Sequence, residues 1–177
     1  MTEFSRLYRL DTLSSQARAV EIEAGPGERE ALARRFGLVS VERLTAEASI
    51  GRHGEAVSAS GRLSARVTQS CVATGEPVEA EVEEAFEIQF RPPPEQSGAD
   101  EEIELSEGEL DVVFYDGAAV DLGEAVAETL SLSLDPYPRS PAAQDALKAA
   151  GVKSEEEARA ESSPFAALAA LRDKLKP

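Results

Sequence analysis

The stretch ASGRLSARVTQSCVATGEPVEAEVEEAFEIQF, residues 59–90, decides the fold. In its first arm Leu63, Ala65 and Val67 alternate with Arg62, Ser64 and Arg66. In its second arm Val78, Ala80 and Val82 alternate with Glu79, Glu81 and Glu83, and Phe86, Ile88 and Phe90 carry the pattern on. A period of two places one face of a strand in water and the other in a core. The linking segment SCVATGEP has turn chemistry and holds the only cysteine of the chain, Cys71. The pattern predicts two long strands joined by a turn, with Arg62 and Arg66 opposite the glutamates of the second arm as cross-strand pairs.

Upstream, residues 38–50 form a further strand candidate with Val39, Val41, Leu44, Ala46, Ala48 and Ile50 as its apolar members. The phase slips between Val41 and Leu44, which predicts a bulge or bend. GRHG, residues 51–54, marks a tight turn, and residues 56–68 return as the next strand. Residues 38–50, 56–69 and 77–90 thus make an antiparallel meander, open or closed toward a barrel. Two N-terminal segments extend it: Phe4, Leu7, Tyr8 and Leu10 in the first, residues 17–23 in the second. Such a sheet needs a layer over its apolar face. Residues 26–36 supply a helix, with Pro26 in the first turn, Arg34 and Arg35 at the negative end and Gly37 beyond it. Residues 121–132 supply another, Asp121 acting as N-cap with Glu124 three residues later, as in a capping box. The expected class is α+β, with helices packed on one face of the sheet.

Residues 92–102 combine proline, glycine, serine and acid with little to bury, so they are expected to form a flexible loop. Residues 111–114 can pair at the sheet edge. Residues 141–177 are read as a helical C-terminal segment. Its last helix begins near Ser163 and Pro164 and shows Phe165, Leu168, Leu171 and Leu175 on one face, which docks on the sheet or on a partner. The whole chain, 1–177, is expected to form one domain.

The net charge is −16, and it is uneven: residues 1–91 carry 15 acids and 11 bases, residues 92–177 carry 19 and 7. Eleven of the 14 arginines lie in the first half. Such a field disfavours non-specific attraction to DNA or to anionic membranes. It leaves room for a local contact with RNA and favours a basic protein. One cysteine rules out an intrachain disulfide framework, and one Cys with one His, His53, falls short of a structural zinc set. No phosphate-binding glycine loop or calcium loop is written in the chain, so no cofactor or metal is expected. Cys71 is expected to be a small, partly buried turn residue and His53 an exposed one. The acids of residues 79–87 are expected to form a solvated strand face. Enzymatic chemistry would rest on the supply of carboxylates alone. No secretory signal or membrane span is written in the sequence, and a cytoplasmic protein is expected.

QSCVATGEPVEAEVEEAFEIQF (residues 69–90) followed by DVVFYDGAAVDLGEAVAETLSLSLDPYPRSP (residues 111–141) resembles the YceD-like family of large ribosomal RNA subunit accumulation proteins, and SPFAALAALRDKL (residues 163–175) resembles its closing segment. The family motif maps onto Cys71, Gly75, Glu76 and Pro77, and onto Asp121 and Leu122. Many members have a second cysteine where this chain has Thr74, and a later cysteine cluster where residues 135–150 have none. A metal site is therefore not carried over. The resemblance implies a non-enzymatic factor for accumulation of 23S ribosomal RNA and biogenesis of the large ribosomal subunit. The partner is then a large-subunit precursor, through its 23S RNA or a basic ribosomal protein. For RNA the candidates are Arg34, Arg35, Arg62 and Arg66, with Arg6, Arg9, Arg43 and Arg52 beside them. For a protein they are Glu101, Glu102 and Glu104, the face of Glu79, Glu81 and Glu83, and Phe165, Leu168 and Leu171. If Arg62 and Arg66 are each paired with a glutamate, the RNA patch vanishes and a basic protein becomes the expected partner.

Overall fold

The computed structural model describes residues 3–93, 111–153 and 158. The flexible-loop expectation at 94–102, the candidates Glu101, Glu102 and Glu104, and the final helix with Phe165, Leu168 and Leu171 lie outside the described residues.

Five strands form one sheet in the order β2 (Arg18–Glu23), β3 (Ser40–His53), β4 (Ala56–Ser70), β5 (Pro77–Arg91) and β6 (Asp111–Phe114). β2 to β5 are antiparallel neighbours, as the alternation predicts. The β3–β4 register slips between Val41 and Arg43, where the phase change in sequence predicted a bulge. The expected turn at 51–54 moves outward. β3 runs to His53, which pairs with Ala56, and the reversal is made at Gly54, whose φ of +64° suits glycine.

Three further expectations are corrected. The sheet is mixed rather than purely antiparallel, because β6 lies parallel to β5, Ile88 opposite Asp111 and Arg91 opposite Phe114. Among the described residues the sheet is open: β2 and β6 are its two edges and do not pair with each other. The first N-terminal strand, β1 (Leu7–Arg9), does not extend the sheet but pairs with β7 (Ala119–Asp121) in a separate two-stranded ribbon.

Two helices cover the apolar face, α1 (Pro26–Phe36) against β3 and α2 (Leu122–Ser133) against β4 and β5. The covered side chains belong to a single cluster: Leu44, Ile50, Leu63, Val67, Phe86, Ile88 and Phe90 from the sheet, Leu32 from α1, and Leu122, Val126 and Leu130 from α2. A short helix, α3 (Ala143–Ala149), follows the proline-containing stretch after α2. α1 stops at Gly37, which takes φ +66° and donates its N–H to the Ala33 carbonyl.

The start of the chain is bolted to both helices. Asp121 caps α2 by accepting from the Glu124 N–H at 3.2 Å, and the same carboxylate accepts from the Ser5 hydroxyl and the Arg6 N–H at 2.6 and 2.7 Å. The Glu124 side chain does not close a capping box. It turns to Arg35 at 2.7 Å, because that guanidinium offers an ion pair between α1 and α2. Gly123 lets the first turn of α2 lie on the N-terminal segment: a Cβ there would stand 2.7 Å from the Phe4 carbonyl oxygen. Phe4 itself is fully buried, with the Arg6 guanidinium 4.6 Å over its ring.

Candidate functional site

Two regions carry residues singled out by the sequence, and a third emerges from the structure. The first is the solvent face of β3, β4 and β5. Arg66 bonds Glu81, its partner in the β4–β5 register, at 2.5 Å, and Arg62 stands 3.7 Å from Glu83 on the diagonal. Glu81 holds the Arg66 guanidinium above its ordinary range through that hydrogen bond. Arg43 donates to the Ser64 hydroxyl. Arg66 thus pairs with the glutamate opposite it as predicted, whereas Arg62 has Ala85 opposite and meets Glu83 only on the diagonal, and the two arginines present no unpaired positive patch. Glu79 and Glu87 lie on the same face without an ion-pair partner among the described residues. Glu84 departs from the expected single acidic face: it shares the parity of Phe86 and Ile88, opposite Leu63, yet is exposed beside the end of α2. From Pro77 to Glu87 the strand carries five acids and no base.

The other arginines are mostly committed to the fold. Arg6 forms a two-pronged contact with Glu28 at 2.6 and 2.8 Å, and that carboxylate also accepts from the Gly25 N–H at the start of α1. Arg35 bridges Glu3 and Glu124, and both carboxylates raise its pKa. Arg9 pairs with Asp11, and Arg52 donates to the carbonyls of Gly54 and Leu10. Arg34 alone of the RNA candidates has no partner among the described residues. It lines a shallow cleft of about 440 Å³ between α1 and β3 with Arg29, Glu30 and Val39. The structure does not bring Arg34 and Arg35 together with Arg62 and Arg66: the first pair lies at the α1 end over β3, the second on the opposite, solvent face of β4.

The second region is the turn after β4. The Cys71 N–H donates to the Glu76 carbonyl and the Gly75 N–H to the Cys71 carbonyl, which closes the loop, with Gly75 at φ +73°. The chain after α2 lies on this turn. The Val72 N–H donates to Pro138, the Ser140 N–H donates to Cys71 Sγ at 3.2 Å, and the Ser140 hydroxyl donates to Glu76 Oε2 at 2.6 Å. Thr74 Oγ1 stands 3.2 Å from both Ser140 Oγ and Glu76 Oε2. Cys71 is only 3% exposed, more buried than its place in a turn suggested. The Ser140 N–H and then the Thr74 hydroxyl draw its thiol down to about 6, against burial, which pushes it up. His53 is exposed at the far end of the sheet, a full strand of fifteen residues away, roughly 45 Å at about 3.3 Å per residue, so no Cys–His pair exists. Among the described residues no three His, Cys, Asp and Glu side chains converge to hold a metal, and no helix is long and apolar enough to cross a membrane.

These positions fall in the segment that decides the family. The sequence pattern described as large ribosomal RNA subunit accumulation protein YceD matches residues 59–172. The chain belongs to the YceD family. No curated protein and no solved structure matches it. In this YceD-family chain, the turn that holds Thr74 and the stretch after α2 meet at Cys71. A hydrogen-bonded knot of Cys71, Thr74, Glu76 and Ser140 joins them. The Glu76–Pro77 step closes the turn and opens β5; the Asp121–Leu122 step caps α2 and holds the N-terminus.

The third region was missed from sequence: the outer edge of β5. The Arg91 carbonyl accepts from the Tyr115 N–H on the β6 side. Backbone groups alternate sides along a strand, and the β4–β5 register is unbroken. The N–H and C=O of Glu79, Glu81, Glu83, Ala85 and Glu87 therefore point away from β4. Among the described residues β6 covers only Ile88 to Arg91, leaving that edge without a strand neighbour from Pro77 to Glu87. The available signal was length: a fifteen-residue strand followed by a strand candidate of four.

Proposed function

We propose that this chain is a non-enzymatic, cytoplasmic factor that supports accumulation of 23S ribosomal RNA by acting on precursors of the large ribosomal subunit. Membership of the YceD family carries this reading. We further propose that it acts through a basic ribosomal protein, its acidic surfaces meeting that partner's positive charge. The ion pairs of Arg62 with Glu83 and Arg66 with Glu81 support a protein over RNA, because a phosphate would have to displace a carboxylate already in place. The chain-wide charge of −16 acts in the same direction. Direct RNA contact is the second reading, and the unpaired Arg34 favours it.

Crosslinking in cells, followed by identification of both RNA and protein partners, tests the proposal. A basic large-subunit protein is expected in the crosslinks. Reversing Glu101, Glu102 and Glu104 to Lys is expected to weaken that crosslink, whereas reversing Arg62 and Arg66 to Glu is expected to spare it. RNA crosslinks that vanish when Arg62 and Arg66 are reversed would establish the second reading instead. Absence of large-subunit components from all crosslinks would refute both.

A further inference from the structure

We infer that the open edge of β5, from Pro77 to Glu87, takes up an extended segment of a basic protein as an added β-strand. The inference rests on the basic-partner reading above and gives it a place and a geometry. The first observation is the edge itself. Glu79, Glu81, Glu83, Ala85 and Glu87 each turn a backbone N–H and C=O outward, and no described strand meets them. Such a row is a template for another strand.

The second observation is that the two faces flanking this edge differ. On the solvent side the carboxylates of Glu79, Glu81, Glu83 and Glu87 project at every second position except that of Ala85. On the helix side lies a cleft of about 340 Å³, lined by Phe86, Leu132, Thr129 and Ser133 together with the acids Glu84, Glu87 and Asp111, and Leu132 is 85% exposed. Val78, Ala80 and Val82 on that side are only half-buried. An incoming strand has the same period of two. Its alternate side chains would therefore meet carboxylates on one face and, on the other, the apolar groups of Val78, Ala80, Val82 and Phe86, with Glu84 as the one acid among them. The matching ligand is an extended segment in which lysine or arginine alternates with aliphatic residues. A second copy of this chain is a poor occupant, because its own edge would set glutamate against glutamate.

The probe is a labelled peptide of alternating lysine and valine, as long as the open edge, titrated into the full chain by fluorescence anisotropy. Binding is expected, and a peptide of the same composition with its lysines and valines in separate blocks is expected to bind more weakly. Ala85→Pro removes one outward N–H without changing charge, and proline is tolerated on an edge strand. It is expected to weaken binding about tenfold, the equivalent of one net backbone hydrogen bond. The same peptide N-methylated at alternate residues tests the point on the unaltered protein, and decides it if the proline variant does not fold. Absence of binding, or equal binding of the methylated and plain peptides, overturns the inference; the second result would leave charge attraction alone. A proline variant that loses the peptide in vitro yet keeps its protein crosslinks in cells would overturn strand addition while leaving the proposed function standing.

Discussion

The two halves of β5 share one alternation and end in different surroundings. From Phe86 to Phe90 the inward side chains are 6% exposed or less and α2 lies over them, and from Ile88 onward β6 closes the edge. From Pro77 to Glu83 the inward side chains Val78, Ala80 and Val82 are half-buried, and no described strand lies alongside. A period of two specifies which face of a strand is apolar. It does not specify what stands beside the strand. That depends on how far the next elements reach, and β6 has only four residues.

The comparison is broken most severely from the closed half. Phe90→Ala removes a fully packed ring and is expected to cost about 3–5 kcal/mol, while Val82→Ala in the open half is expected to cost about 1 kcal/mol or less. Urea denaturation of the two variants measures the difference, and equal losses would show that both halves are equally packed. Next in size is Asp121→Ala. It uncaps α2 and releases Ser5 and Arg6, with an expected loss of about 1–2 kcal/mol from the cap alone. A loss confined to a few tenths would mean that the N-terminus is held by other contacts.

Cys71 sharpens the comparison at the open end, where its turn leads into β5. A thiol drawn down to about 6 in the folded chain favours the thiolate there. The unfolded thiol titrates near its ordinary value, so the stabilisation develops as pH rises above 6 and is complete above about pH 9; it is lost as pH falls through 6. The stability of the natural chain relative to Cys71→Ser is expected to grow from pH 6 to pH 9. A gap that does not change with pH contradicts the hydrogen-bonded thiolate. The smallest effect is expected at the solvent face: a double-mutant cycle on Arg66 and Glu81, both more than half exposed, should give a small coupling that shrinks with added salt.

Most of the sheet was legible in the sequence because β3, β4 and β5 obey binary alternation over long runs, and even the slip between Val41 and Arg43 showed as a break in phase. The helices were legible from their ends, Pro26 with Gly37 for α1 and Asp121 for α2. Pairing partners of short elements were not. β1 and β7 have three residues each, too few to carry a pattern that says which strand they meet. Nor could periodicity show that Glu124 would serve Arg35 rather than its own cap, since that choice is made between helices distant in sequence. At the candidate site the Arg66–Glu81 pair was legible by register, while Arg62, with Ala85 opposite, reaches Glu83 on the diagonal. The contact of Ser140 with Cys71 and Glu76 arises from tertiary placement and left no local mark, and the open edge of β5 was signalled only by the mismatch in length between β5 and β6.

The division of β5 into a closed and an open half is tested most directly by residue-resolved amide hydrogen exchange along that strand. The predicted result is alternation. Val78, Ala80, Val82, Glu84 and Phe86, which face β4, exchange slowly, while Glu79, Glu81, Glu83, Ala85 and Glu87 exchange fast, and the alternation ends at Gln89 and Arg91, which β6 protects. Slow exchange at every residue from Glu79 to Glu87 in the isolated protein would contradict the account, since it would mean that the edge is already paired.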